Sequence, residues 1–175
     1  MRRLLATTAA LFLTPVTAMA ISLSEIASKP SQYELVYSDK NTEMYVDTSS
    51  IVSLRFAPPD YSMSTKGYLV IYNVQAILEE TQFFKYDYNR STRSIITNIL
   101  KANPTASNHD IAKFYVEEKV ANSGITWSAT NRDVWRFDGS YVEHLDPLFD
   151  QKIGYLSGTY KAAFRIFFEY YNDVF

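Results

Sequence analysis

Few side chains among these 175 residues are of a type that could carry out chemistry. Cysteine is absent, which excludes disulfide bonds, thiolate metal sites and cysteine nucleophiles. The two histidines, His109 and His144, lie far apart in the sequence, whereas a zinc site needs three or four ligands within tetrahedral reach. This pattern favours surface or capping histidines, and we predict no metal and no other cofactor.

Paired carboxylates are a second type of chemical group, because two of them can divide the work of a general acid and a general base. The pairs Glu79–Glu80 and Glu117–Glu118 are adjacent in sequence, and neighbours on a strand point to opposite faces. The sequence also lacks a G-x-S-x-G nucleophile turn and a glycine-rich phosphate loop. We therefore predict that the protein is not an enzyme.

A third group of acidic side chains, Glu143, Asp146 and Asp150, has the spacing i, i+3, i+7. On a helix these carboxylates would share one face and could bind calcium through oxygen atoms. Because no glycine-spaced acidic loop accompanies them, the pattern favours a solvated helix face.

Tyrosine is abundant, with 14 residues beside 11 phenylalanines. Tyr61 lies in a polar segment, and Tyr86 and Tyr88 lie on a predicted strand with charged neighbours. Amphipathic aromatic side chains are typical of protein-binding surfaces, so these three are our candidate protein-binding residues. The alternative is that they line the core of a sheet beneath a C-terminal helix, and Tyr61 is the strongest candidate for a surface position.

The first twenty residues have the composition of a signal peptide. Arg2 and Arg3 precede an apolar run over 4–13, and small residues at Ala18 and Ala20 predict cleavage after Ala20. The run is too short to cross a bilayer, and no later segment approaches the ~18 apolar residues of a transmembrane helix. We predict a leader over 1–20, one domain over 21–175, and a location in the periplasm or at the cell surface.

The charge balance of the remaining chain limits its partners. Arg2 and Arg3 belong to the predicted leader, so 15 of the 17 basic residues remain in the rest of the chain, together with all 19 acidic residues. Nucleic-acid binding requires a concentrated basic face, so the sequence predicts no nucleic-acid partner.

Hydrophobic periodicity predicts the elements that must position these groups. Ala163, Phe164, Phe167, Phe168 and Tyr171 have helical spacing and predict an amphipathic helix over 160–172. The other predicted elements are a short helix within 21–32; strands over 33–37, 43–47, 51–57, 67–78, 82–88 and 134–137; turns over 47–50 and 79–81; an exposed loop over 58–66; and a strand over 93–100, with helix as its alternative. Segment 107–120 is predicted as helix or strand. The fold class is α+β, an antiparallel sheet of about five to six strands with the C-terminal helix packed on one face.

One short element resembles a known family. Tyr45, Val46, Asp47, Ser50 and Ile51 follow a first strand and precede a long aliphatic strand. This arrangement is similar to the small exported bacterial domains of the surface-adhesin protein E family. Tyr33 stands where that family often has tryptophan, and the cysteines of many members are missing here.

The resemblance implies an antiparallel sheet with a helix on one face, and binding of host-matrix or envelope proteins. Trp135, followed by residues 139–143, is similar to the ending of family members, in which a helix follows a tryptophan. We predict an exported, adhesin-like binding module for protein partners, for which a homodimer is compatible with the sequence. The alternatives are a small periplasmic hydrolase or metal-dependent enzyme, and a structural or assembly factor of the envelope.

Overall fold

The computed structural model describes residues 21–175, so the predicted leader lies outside the described residues. Eleven helices and strands and one short 3-10 turn follow one another along the chain. They are α1 (Leu23–Ser28), β1 (Tyr33–Ser38), β2 (Thr42–Ala57), β3 (Asp60–Ile71), β4 (Ala76–Asp87), the 3-10 turn (Tyr88–Arg90), α2 (Thr92–Ala102), α3 (Asn108–Ala121), β5 (Ile125–Arg136), β6 (Tyr141–Leu145), β7 (Leu148–Lys152) and α4 (Gly158–Tyr171).

The seven strands form one antiparallel sheet in the order β1-β2-β3-β4-β5-β6, and β7 pairs with the other end of β5. Neighbouring strands are consecutive in sequence, except that β7 pairs with β5. Helices α2 and α3 lie between β4 and β5 along the chain. The predicted α+β fold is confirmed. The sheet has seven strands because two short strands, β6 and β7, pair with different parts of β5.

Strand alternation divides the core between the two faces of the sheet. On one face Met63, Phe84 and Tyr86 pack against Ile166 and Phe167 of α4. The opposite face carries a smaller cluster beneath α1, made of Ile21, Ile26, Tyr33, Tyr68, Val70 and Ile77. Both terminal helices are therefore held by apolar contacts to the sheet.

Helix α4 is the predicted C-terminal helix, and it packs on the sheet as expected. Ser157 caps its first turn by accepting a hydrogen bond from the Tyr160 amide, and Asn172 ends it in a left-handed conformation. Ala162 and Ala163 are fully buried, because their small side chains let the helix lie close to the strands. The Tyr86 hydroxyl consequently donates a hydrogen bond to the Ala163 carbonyl at 2.8 Å.

The predictions for 47–50 and 58–66 are wrong. Strand β2 continues through 47–50, and its register with β3 shifts there. The Asp47 carboxylate accepts a hydrogen bond from the Ser49 amide, which keeps the extra residues of the strand close together. Residues 60–66 belong to β3 rather than to an exposed loop. Their polar side chains Ser62 and Ser64 alternate with the buried Tyr61 and Met63.

The single long strand predicted over 67–78 is also wrong, because a turn over 72–75 divides it between β3 and β4. Gln75 adopts a left-handed conformation with φ of 54°, and apolar residues on either side conceal the turn in the sequence. Residues 79–81, predicted as a turn, lie inside β4.

Between the strands, α2 replaces the strand predicted over 93–100. Ser91 caps it, and Ile95 and Ile99 bury one face at helical spacing. Segment 107–120 is a helix, started by a capping box of Ser107 and Asp110. Strand β5 begins at Ile125, well before the short strand predicted over 134–137, and the predicted helix within 21–32 is α1.

Candidate binding groove

The three candidate tyrosines lie under or beside α4. Tyr86 is 2% exposed, Tyr61 is also buried, and Tyr88 is half-buried with its hydroxyl donating to the Asp173 carboxylate. That hydrogen bond raises the pKa of Tyr88, and burial raises the pKa of Tyr86, so both phenols are neutral. Tyr86 is buried and Tyr61 is mostly buried, so they present almost no surface to a partner. Both residues belong to the core, which was the alternative interpretation.

The histidines and carboxylates considered for catalysis or metal binding lie apart from one another, and some of them are paired with other side chains. His144 Nδ1 lies 2.8 Å from Asp133 Oδ1 across the β5–β6 ladder, and His109 is exposed on α3. Glu80 is buried against Arg132 at 3.1 Å. Over residues 21–175 no three His, Asp or Glu side chains come close enough to hold a metal ion.

The acidic set Glu143, Asp146 and Asp150 does not share a helix face, so that prediction is wrong. Glu143 lies in β6 and Asp150 in β7. Asp146 lies in the connection between these two strands, which both pair with β5. Asp150 instead meets Lys85 of β4 at 2.7 Å.

A groove of about 590 Å³ with a largely apolar lining lies between the outer edge of β1 and α4. We call it the β1 groove. Its lining consists of three consecutive β1 residues, four α4 residues and side chains from α2, α3 and the segments around α4: Glu34, Leu35, Val36, Thr92, Tyr115, Tyr155, Leu156, Tyr160, Lys161, Phe164, Arg165 and Val174. The volume lies within the ~300–1,000 Å³ of ligand-binding sites in proteins.

Aromatic rings form the floor of the groove. Tyr160 and Phe164 are four residues apart on α4 and therefore share a face, with ring centroids 6.4 Å apart. Tyr155 meets Tyr160 edge to face at 5.1 Å and Tyr115 at 6.2 Å. The Tyr115 hydroxyl lies 3.0 Å from Thr92 Oγ1, which connects the floor to α2 and α3.

Two cations on α4 border the groove, and they differ in their partners. Arg165 is held by Glu34 at 2.7 Å and by Glu169 at 2.8 Å. Lys161 lies 5.0 Å from the centre of the Tyr37 ring and joins no ion pair with any residue of the described chain. Lys161 is therefore the positive charge at the rim that is available to a ligand.

The lip of the groove is formed by the exposed apolar side chains of Leu156 and Val174, and Leu35 lines it from the edge of β1. Leu156 is 58% exposed and has a φ of 64°, a left-handed conformation that a leucine adopts at a cost of about 1–2 kcal/mol. An exposed leucine in such a conformation contributes little to folding, and its position at the lip suits contact with a ligand.

We expect Leu156→Gly to leave the free energy of unfolding unchanged or to raise it by up to about 1 kcal/mol. Glycine removes the left-handed strain but adds about 0.5–1 kcal/mol of unfolded-state entropy. Urea denaturation measures the effect, and Leu100→Gly in the last turn of α2 serves as the control, with an expected loss of up to about 1 kcal/mol. A larger loss for Leu156→Gly would show that the leucine is a packing residue.

A cavity of about 620 Å³ between α2 and α3 is the main competitor of the β1 groove. It is lined by Asn98, Asn103 and Glu117 as well as by Ile95 and Phe114. At its edge Arg90 and Glu118 already neutralise each other at 2.8 Å. Its mixed lining offers a ligand less apolar contact than the β1 groove does.

The chain matches no family model, no curated protein and no solved structure. The resemblance to the surface-adhesin protein E family therefore stays a prediction. No helix among residues 21–175 is long and apolar enough to cross a bilayer.

Sequence reasoning missed the β1 groove because its two sides lie far apart along the chain. Glu34 and Arg165, which join these sides, are 131 residues apart. The one local signal is the spacing of Tyr160 and Phe164, four residues apart, which places two rings where α4 meets the groove.

Proposed function

We propose that the protein is a non-catalytic binding module that takes an apolar polypeptide segment of another protein into the β1 groove. The observation that carries the proposal is an aromatic-floored groove whose lip exposes Leu156 and Val174 beside the edge of the sheet at Leu35. Such an apolar concave surface is typical of peptide-binding sites.

The partner class follows from the predicted leader and the family resemblance. A leader over 1–20 supports a location in the periplasm or at the cell surface. The adhesin-like element around Tyr45–Ile51 supports host-matrix or envelope proteins as partners. These two sequence features are the grounds for proposing an adhesin-like module rather than an envelope assembly factor.

We expect the double variant Leu156→Asp and Val174→Asp to weaken partner binding at least about tenfold, because two carboxylates are then desolvated against apolar surface. The control is Leu100→Asp with Val120→Asp, which changes two exposed side chains of the same types on α2 and α3. Binding to a panel of purified host-matrix and envelope proteins is measured by biolayer interferometry, and circular dichroism verifies the fold. Equal binding by both double variants would contradict the proposal.

A further inference from the structure

The outer edge of β1 carries an unpaired main-chain donor and acceptor at Leu35. In an antiparallel ladder every second residue pair exchanges both main-chain hydrogen bonds, and the residues between point theirs outward. The Thr48 amide donates to the Gln32 carbonyl at 2.9 Å, so the pair Glu34–Val46, two residues on, is also a bonded pair. Leu35 therefore directs its N–H and C=O away from β2.

Nothing in residues 21–175 takes up these two groups. Strand β1 has a neighbour on one side only, and Leu35 has no main-chain hydrogen bond outside the sheet. At the next outward position, the Tyr33 amide donates to the Lys29 carbonyl at the end of α1. The open part of the edge is thus centred on Leu35, which itself lines the β1 groove.

The groove lies on the face of the sheet toward which half of an added strand's side chains would point. Side chains of a strand alternate between the two faces of a sheet, and Glu34 and Val36 share the face that carries α4. A strand placed beside Leu35 would direct every second side chain over the half-buried ring of Phe164, whereas Tyr160 belongs to the core. Apolar residues at those positions would be buried there.

The charges that line the groove indicate which charged group the partner segment carries. Arg165 is paired with both Glu34 and Glu169, which leaves Lys161 as the lining residue whose charge joins no ion pair in the described chain. Lys161 precedes Phe164 by three residues and therefore lies on the same side of α4, and its ammonium group lies 5.0 Å from the centre of the Tyr37 ring. A carboxylate on the incoming segment complements it.

We propose that the partner segment binds as an extra β-strand on β1, hydrogen-bonded to the N–H and C=O of Leu35, with apolar side chains over Phe164 and a carboxylate against Lys161. This inference rests on the proposed function and specifies its binding mode. A second copy bound edge to edge is the other occupant, which the experiments below distinguish from a partner segment.

The first test isolates the Leu35 amide. Leu35→Pro removes the outward N–H and leaves the bonds between β1 and β2 in place, whereas Leu35→Ala removes the side chain and keeps the N–H. The probes are seven-residue peptides of alternating valine and threonine that carry aspartate near one end. We expect Leu35→Pro to bind about two- to tenfold more weakly than Leu35→Ala, the effect of one hydrogen bond. Equal affinities would overturn the inference.

A second readout follows the amide directly in the unaltered protein. Amide hydrogen exchange of Leu35, followed by NMR, is expected to slow at least about tenfold when the aspartate peptide is present in excess. Methylation of the peptide's central amide nitrogens is expected to abolish this protection. Binding without protection of Leu35 would overturn strand addition while leaving the proposed function intact.

The charge is tested with Lys161→Gln. We expect a two- to fivefold loss of affinity for the aspartate peptides, the usual size of an exposed ion pair, and no change for the same peptides with asparagine. Equal losses for both peptides would overturn the role of Lys161. Absence of binding by every peptide, or a dimer in sedimentation velocity that Leu35→Pro dissociates, would overturn the inference in favour of another occupant. The proposed function is judged separately, by the two aspartate double variants.

Discussion

Phe167→Ala is expected to lower the free energy of unfolding by about 3–5 kcal/mol, because the ring is fully buried and its removal leaves an apolar cavity. The ring lies 4.9 Å from Tyr86, 5.5 Å from Tyr61 and 5.5 Å from Phe175, so its loss opens a cavity where α4, the sheet and the C-terminus meet. For a chain of this size the corresponding fall in Tm is roughly 6–20 °C in a thermal scan.

Phe168→Ala is the matched control, because Phe168 is the next residue on α4 and is partly exposed. We expect it to cost less than about 1 kcal/mol. Alanine at Phe164, Phe167 and Phe168 together is expected to unfold the domain, since total stabilities are about 5–15 kcal/mol. If Phe167→Ala and Phe168→Ala had similar effects, α4 would not be packed on the sheet as described.

Stability is expected to rise with pH between about pH 8 and pH 10 because of Lys119. This lysine is 0% exposed, and its ammonium group donates to the carbonyls of Arg90 at 2.7 Å and Ser123 at 3.2 Å. It also lies 4.5 Å from the centre of the Phe175 ring. Burial, with a smaller contribution from the charge of Arg90, lowers the pKa of Lys119 to about 8.

The direction of this pH dependence follows from the number of protons bound to the folded and the unfolded chain. Above pH 8 the folded chain loses the Lys119 proton, whereas the unfolded chain keeps it up to about pH 10.5. The unfolded state therefore binds more protons in this window, and the free energy of unfolding rises by up to roughly 3 kcal/mol. Tyrosines such as Tyr160, whose pKa is raised by burial, oppose this trend only above about pH 10.

Lys119→Met is the variant that tests this assignment, since methionine has a similar length and no charge. Urea denaturation across the window is expected to give a nearly flat profile for Lys119→Met and a rising one for the unaltered protein. A rise of equal size in both proteins would assign the pH dependence to another group.

Local patterns in the sequence are sufficient for the elements whose packing is also local. Ala163 and Phe167 have helical spacing, so α4 could be predicted, and the alternation around Tyr33–Tyr37 and Met44–Val46 predicts the hairpin of β1 and β2. The adjacent Ile95 and Ile96 favour a strand over 93–100, with helix as the alternative. The structure has a helix there, because Ser91 caps it and Ile95 and Ile99 bury one face.

Features that depend on distant parts of the chain could not be predicted. Tyr88 meets Asp173, Ser53 meets Tyr171, and Glu34 meets Arg165, each across more than half of the domain. The burial of Tyr86 and the position of the β1 groove follow from these contacts. A tyrosine on a strand has the same local sequence pattern whether a helix covers it or a partner does.

The position of α4 after all seven strands bears on how residues 21–175 acquire their structure during synthesis. Ribosomes make the sheet strands first, and Tyr61, Met63 and Tyr86 find their covering side chains only when Phe167 and Phe175 have emerged. Because α4 and Phe175 complete the main core, the α4-facing side of the sheet lacks its covering side chains until both have been synthesised.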